Sequence, residues 1–175
     1  MNKDLYTTSN NTWNAELKAE IEYFLFLEAR YIDEQRWDDW LELYHDSATY
    51  WVPTKRYQLD PLQQASLIYE KKSGLQLRVM RRKHPQAHSI ERVPESTHLI
   101  SNVMLDQIND VTNEIIVSST FILLGYQEDH SNSQTVYGGR YLHNILRVGG
   151  DLKILEKKVV LNNCDAPQGN IQLFF

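Results

Sequence analysis

The chain has 175 residues, a formal net charge of -5 at pH 7 and one cysteine, Cys164. That length suits a single domain over residues 1–175, enough to remove roughly 70% of the unfolded surface from water. Dispersed Lys and Arg on an acidic background give nucleic acid or anionic membranes no general attraction, and one cysteine rules out any intrachain disulfide or Cys-based cluster. The opening MNKDLYTTSNN lacks a signal-peptide core, and no apolar run approaches the roughly 18 residues that span a bilayer, so a cytoplasmic protein is expected.

The first dozen residues are polar and without periodicity, which suits a loose arm. A helix is expected from about Trp13, with Asn14 as its cap and Leu17, Ile21, Phe24, Leu25, Glu28, Tyr31 and Ile32 along one stripe. Glu28 interrupts that stripe, and is expected as a solvated flank residue or as half of a partner-facing ion pair. Trp37, Trp40, Leu41 and Tyr44 keep helical spacing in a second, short helix, and Ala48 to Val52 switch to strand-forming residues. Arg56 to Ser73 reads as irregular, with a turn at Asp60-Pro61 and a short apolar patch at Leu67, Ile68 and Tyr69. SGLQLRVMRRK suits a third helix after Gly74, with a strand as the alternative, and HPQAHSIERVPES reads as a loop interrupted by Pro85 and Pro94.

Four strand-like segments complete the chain: HLISNVML, EIIVSSTFILLGYQ, QTVYGGRYLHNILRV and DLKILEKKVVLN. Turn signals at Asn109-Asp110, His130 to Ser133 and Gly149-Gly150 separate them, so an antiparallel meander is expected, with a tight hairpin at the last. Gly138-Gly139 inside a strand suggests a bulge or sharp bend. Helices gathered ahead of a curved sheet make the fold class α+β. Helix, short helix and strand in this order resemble the start of the cone-shaped NTF2-like or SnoaL-like superfamily.

The six histidines carry no recognisable metal-ligand spacing, so no metal site is expected in this chain. Acids and bases near the expected mouth of the cone are Asp33, Asp38, Asp39, His45, Asp46 and His98. A carboxylate beside a donor such as Tyr23 or Tyr50 suits proton abstraction next to a carbonyl, whereas capping and turn roles explain Asp38, Asp39 and Asp46 more simply. Cys164 has no evident base and reads as a structural or exposed thiol. Four tryptophans and ten tyrosines suit an aromatic pocket, a core or a subunit interface equally.

Several ordered motifs then point further. ARYIDEQRWDDWLELYHDSATYWVP, DPLQQASLIYE, LQLRVMRRKHPQAHSIERVPESTHLISNV and LKILEKKVVLNNCDAPQGNIQLFF closely resemble the β (small) subunit of bacterial aromatic-ring-hydroxylating dioxygenases, from about residue 18 onward. The family often has a basic residue just before HLISNV, where this chain has Glu95-Ser96-Thr97. The resemblance implies a non-metal subunit that supports a catalytic α subunit carrying a Rieske [2Fe-2S] centre and a mononuclear Fe(II). It also implies a hexamer of three α and three β chains, served by a reductase and in some systems a ferredoxin. The product would be a cis-dihydrodiol, formed with O2 and electrons from NAD(P)H. Arg78, Arg81, Arg82, His84 and Arg92, with Phe174 and Phe175, are the candidate interface residues, and packing inside the chain explains the two phenylalanines equally well. A free-standing isomerase or dehydratase of the same fold is the alternative, with Asp33, His45 and His98 as its acid-base set. The two differ in one observable: the enzyme needs an open pocket, the subunit a cavity blocked by large side chains.

Overall fold

The computed structural model describes residues 14–83, 94–127, 133–169 and 171–175. The expected arm at 1–12, His84 and Arg92 lie outside the described residues. Helix α1 spans Ala15–Asp33, and Asn14 caps it as expected, its side-chain oxygen accepting the Leu17 N–H at 3.0 Å. This satisfies one of the amides that every helix start leaves without an intrahelical partner. The buried residues Ile21, Phe24, Leu25, Glu28, Ala29 and Ile32 recur at three- and four-residue steps, one stripe turned toward the interior.

Helix α2 spans only Trp37–Glu42, and strand β1 follows over Tyr44–Pro53. Tyr44 therefore begins the strand instead of continuing the helix. Sheet pairing takes over at this point, because the Leu43 carbonyl accepts the Ile154 N–H at 2.8 Å and Tyr44 stands opposite Ile154. Its ring still meets Trp40, centroids 5.1 Å apart, so the helical spacing reported a real contact across an element boundary.

Strand β2, Ser66–Lys71, contains the patch Leu67, Ile68 and Tyr69 that the sequence shows inside an irregular segment. It pairs antiparallel with β1 at the sheet edge. Helix α3, Lys72–Lys83, starts two residues ahead of Gly74 and settles that segment as helix. Strands β3 (Glu95–Asn109), β4 (Glu114–Gln127), β5 (Ser133–Val148) and β6 (Asp151–Leu161) form the expected antiparallel meander. Glu95 and Ser96, read as loop, already belong to β3. The six-stranded sheet has the order β2-β1-β6-β5-β4-β3, with β1 and β6 its one parallel pair. Gly149 and Gly150, at φ of 59° and 101°, make the tight β5–β6 hairpin.

The sheet curves around α1, but its irregularities lie elsewhere than Gly138-Gly139. Register runs unbroken through both glycines, with Ile122 opposite Gly138 and Phe121 opposite Gly139. Shifts occur in β3 between Ser101 and Met104, where Asn102 adopts φ 53°, and between Leu105 and Gln107. Another lies between Asn144 and Ile145, where Leu155 of β6 is left without an opposite residue. Such extra residues bend and twist a sheet. The demand at Gly139 is for close approach, since a Cβ there would lie 2.2 Å from the Val160 carbonyl oxygen.

Two neighbouring substitutions therefore separate. Gly139→Ala is expected to lose about 1–3 kcal/mol by forcing β5 from β6. Gly138→Ala, whose nearest contact would be an ordinary 3.5 Å, is expected to change the urea midpoint little. Equal losses at both positions would contradict this reading.

Candidate functional site

The interior of the cone is occupied by charge. Glu28 is 2% exposed, so the solvated flank and the partner-facing ion pair are both replaced by an internal network. Oε1 accepts the Tyr44 hydroxyl at 2.8 Å and the Lys157 ammonium at 2.8 Å, and Oε2 lies 3.2 Å from His143 Nε2. These donors come from β1, β6 and β5, so one carboxylate from α1 joins three adjacent strands. Lys157 is 1% exposed and His143 likewise.

Burial alone would push the Glu28 carboxyl up, but the Lys157 charge and the His143 hydrogen bond outweigh it and hold Glu28 well below the usual carboxylate range. Burial pulls Lys157 down against the attraction of Glu28, and pushes His143 down despite the same carboxylate. The direction to rely on is an ionised Glu28 neutralised by Lys157, because a charge surrounded by three donors and a cation is the form that burial tolerates. His143 is then neutral and donates from Nε2.

Of the acid-base candidates, Asp33 and His98 meet. Asp33 Oδ1 lies 2.6 Å from His98 Nδ1 and accepts the Ser96 hydroxyl at 2.8 Å, while Oδ2 accepts the His98 backbone N–H at 2.8 Å. This locks the end of α1 onto β3. His45 does not join them, and its Nδ1 sits 2.8 Å from the Ser47 hydroxyl. Asp38 pairs with Lys83, Asp39 with Arg36 and Asp46 with Lys72, all on the surface. Asp38 and Asp39 lie in the first turn of α2, whose N-cap is Arg36 with no side-chain cap bond, and Asp46 lies within β1 instead of a turn. Tyr23 is 69% exposed, which removes it as a buried donor.

Tyr50 is engaged by the last residue of the sequence. Its hydroxyl donates to the Phe175 main-chain oxygen at 3.2 Å and accepts the Phe175 N–H at 3.0 Å. Phe174 packs on Trp37 and Trp40, with centroids 5.3 and 4.6 Å away, and Phe175 packs on Tyr137 at 5.2 Å. Both phenylalanines are buried in the chain's own core instead of being offered to a partner. Arg82 covers Trp37 and Phe174 at 5.2 and 4.8 Å, and Arg78 covers Phe174 at 5.7 Å while bonding Glu70. Burial, with Arg78 nearby, lowers the Arg82 guanidinium to about 10. Arg81 stays exposed. Cys164 is a buried core thiol next to a surface cleft of about 500 Å³. Among the described residues no three His, Cys, Asp or Glu side chains group as metal ligands, and no helix is long and apolar enough to cross a membrane.

Residues 27–168 match the family model of the ring hydroxylating β subunit. The chain belongs to the ring-hydroxylating dioxygenase β-subunit family. It is 32% identical to the benzoate 1,2-dioxygenase subunit β of Acinetobacter baylyi over 82% of this chain and 85% of that one. The crystal structure of the benzoate 1,2-dioxygenase β subunit from Burkholderia mallei superposes with a TM-score of 0.70 at 29% identity, covering 94% of this chain and 99% of that one. A putative scytalone dehydratase from Novosphingobium aromaticivorans, 14% identical with a TM-score of 0.63 over 84% of each chain, shares the fold alone. The fold is thus the NTF2-like cone, and as a ring-hydroxylating dioxygenase β subunit the chain is part of an oxidoreductase complex.

The ion network carries two expected outcomes. Lys157→Met, which strands a buried carboxylate, is expected to cost about 3–5 kcal/mol, and adding Glu28→Gln to recover part of that loss in a double-mutant cycle. Strict additivity would show that the two groups are not coupled. Below neutral pH the dependence follows from two of the depressed groups, His143 and Glu28. His143 binds its proton at a lower pH when folded than its usual 6.5, so its stabilisation is complete above 6.5 and lost as pH falls through the folded value. Glu28, depressed below its usual 4.5, adds a loss at still lower pH. Urea unfolding at a series of pH values is expected to show both declines, and His143→Gln to remove the first.

Proposed function

We propose that this β subunit is a scaffold with no bond chemistry of its own, assembled with further copies of itself and with α subunits as a hexamer of three α and three β chains. The single observation that carries this reading is the filling of the interior by buried side chains among the described residues. Where an enzyme of this fold needs an open pocket, Glu28 and Lys157 neutralise one another and Phe174 and Phe175 occupy the space beside Trp40 and Tyr50. In the proposed complex each α subunit carries a Rieske [2Fe-2S] centre and a mononuclear Fe(II), which supply electron transfer and O2 activation. Electrons from NAD(P)H arrive through a reductase, directly or by way of a ferredoxin, and a cytoplasmic location provides them. O2, two electrons and two protons then convert an aromatic ring into a cis-dihydrodiol.

The similarity to benzoate 1,2-dioxygenase β subunits supports a monocyclic aromatic carboxylate as substrate. Choice among such substrates is proposed to rest with α. Exposed Arg81 is the proposed partner contact on α3, with Arg78 and Arg82 fixing the surface behind it. His84 and Arg92 remain proposed contacts outside the described residues. All six strands belong to one sheet, which supports a single domain over 1–175.

The acid-base alternative is tested in the assembled complex with Asp33→Asn and His98→Gln. Turnover per α subunit is expected to stay at the unsubstituted level, whereas loss of a general acid or base lowers turnover about 10²–10⁴-fold. A loss of that size in an intact, iron-loaded complex would overturn the scaffold reading. Arg81→Glu is expected to weaken retention of α on tagged β in a pull-down, with the β fold unchanged.

A further inference from the structure

We propose that the cleft at the end of β1 receives the β3–β4 hairpin of a second copy of this chain, an arrangement that joins three copies head to tail. The inference rests on the reading that three β chains assemble together. Such a ring needs two different surfaces on each chain, one for each neighbour, and the two must complement one another. The sheet carries two such surfaces at opposite corners. Its order, β2-β1-β6-β5-β4-β3, puts the β1–β2 connection at one edge and the β3–β4 hairpin at the other. Because β1 is parallel to β6 while β6, β5 and β4 alternate in direction, the connection also lies at the strand ends opposite the hairpin.

The first surface is the connection over residues 54–65. Lys55, Arg56, Tyr57, Gln58 and Asp165 border its cleft of about 500 Å³, so two cations there outnumber one carboxylate. On the same segment Tyr57, Leu59 and Leu62 are 81%, 87% and 80% exposed. Packing within the chain does not explain three large apolar side chains held so far out on one short segment, and such clusters mark interaction surfaces. The segment is nonetheless fixed. Gln58 is 3% exposed, its Nε2 donates to the Gln64 carbonyl at 3.2 Å, and its own carbonyl accepts the Lys158 ammonium at 2.6 Å. Arg56 is tied to the Asn162 carbonyl at 3.1 Å. A segment held in this way loses little freedom on binding.

The second surface is the hairpin between Asn109 and Glu114. Val111 at its tip is 92% exposed, a β-branched apolar residue where turns ordinarily carry polar ones. Asp110 stands beside it and Asp106 precedes it on β3, both exposed. This tip is fixed too, since Asn109 Oδ1 accepts the Val111 and Thr112 N–H groups at 3.0 and 3.2 Å, and the Asn113 carbonyl accepts the Arg147 N–H at 2.9 Å. An acidic tip with one apolar side chain is the counterpart of a basic cleft with apolar neighbours, and this one chain carries both halves of the match. In the docked pair Val111 meets Tyr57, Leu59 and Leu62 while Asp106 and Asp110 face Lys55 and Arg56. Opposite charges arranged in this way fix register and reject wrong pairings.

The test is sedimentation of the full chain over a dilution series, alone and in complex with α, for the unsubstituted protein and for charge-reversed variants. Lys55→Glu with Arg56→Glu, or Asp106→Lys with Asp110→Lys, sets like charges against one another across the docked surfaces. Each pair is expected to raise the concentration at which half of the chain is trimeric at least about tenfold. All four substitutions together are expected to return it toward the unsubstituted value, and Val111→Ser to weaken assembly without changing charge. These positions are exposed, and far-UV circular dichroism checks that each variant folds. If β trimerises only in the complex, the same comparison is read there. An unsubstituted trimer that every variant leaves intact would overturn the inference while the three-chain reading stands. β chains that stay single with and without α would overturn both. Cleft variants that release α and leave the β trimer whole would assign the cleft to α, and so overturn the inference as well.

Discussion

Glu28 and Lys157 meet at 2.8 Å with both side chains almost wholly buried, and the cone is organised around that contact. Removing two charges from water costs several kcal/mol per ion, and only good geometry with further hydrogen bonds repays it. Here Tyr44 and His143 complete the set, so α1, β1, β5 and β6 must hold their mutual positions for the network to exist. A polar network of this kind contributes definition more than raw stability, because displacing one member exposes an uncompensated charge to an apolar core. Curvature serves it. The unpaired Leu155 shifts the face of β6 so that Lys157, Val159 and Leu161 are buried after Ile154, placing an ammonium inside where strict alternation from Ile154 would put it outside.

The aromatic half of the interior closes the other side. Trp40 is the hub, with Tyr44, Tyr50 and Phe174 around it, and the paired hydrogen bonds between Tyr50 and Phe175 fasten the last residues in register. Arginines of α3 roof this cluster, where a planar guanidinium gains from stacking on rings while its edges face outward. Residues that looked like a free basic surface in the sequence are partly committed to the chain itself. A fold that elsewhere hosts enzymes is here filled by its own side chains, which fits the proposed scaffold role.

Much of the architecture was legible from residue patterns. Asn14 announced the start of α1, and Gly149-Gly150 and Asn109-Asp110 marked turns between strands whose limits fall within a few residues of those expected. The ordered motifs identified the family. What escaped was anything set by a partner distant in sequence. Glu28 read as a flank because its cation lies 129 positions away, on a strand whose facing is reversed by one unpaired residue. Tyr44 kept helical spacing while sheet bonds claimed its backbone, and β2 was hidden because it is an edge strand only six residues long. Asp33 and His98 were named together on composition, yet nothing in the sequence separated them from His45. The lock of α1 on β3 made that distinction.

Co-expression of this chain with the proteins encoded beside it, purification through a tag on this chain, and native mass with iron analysis test the central claim most directly. The account expects an assembly of equal numbers of this chain and an iron-sulfur partner, with all iron leaving with the partner when the two are separated. Iron retained by this chain, or a partner-free oligomer that turns over substrate by itself, would contradict it.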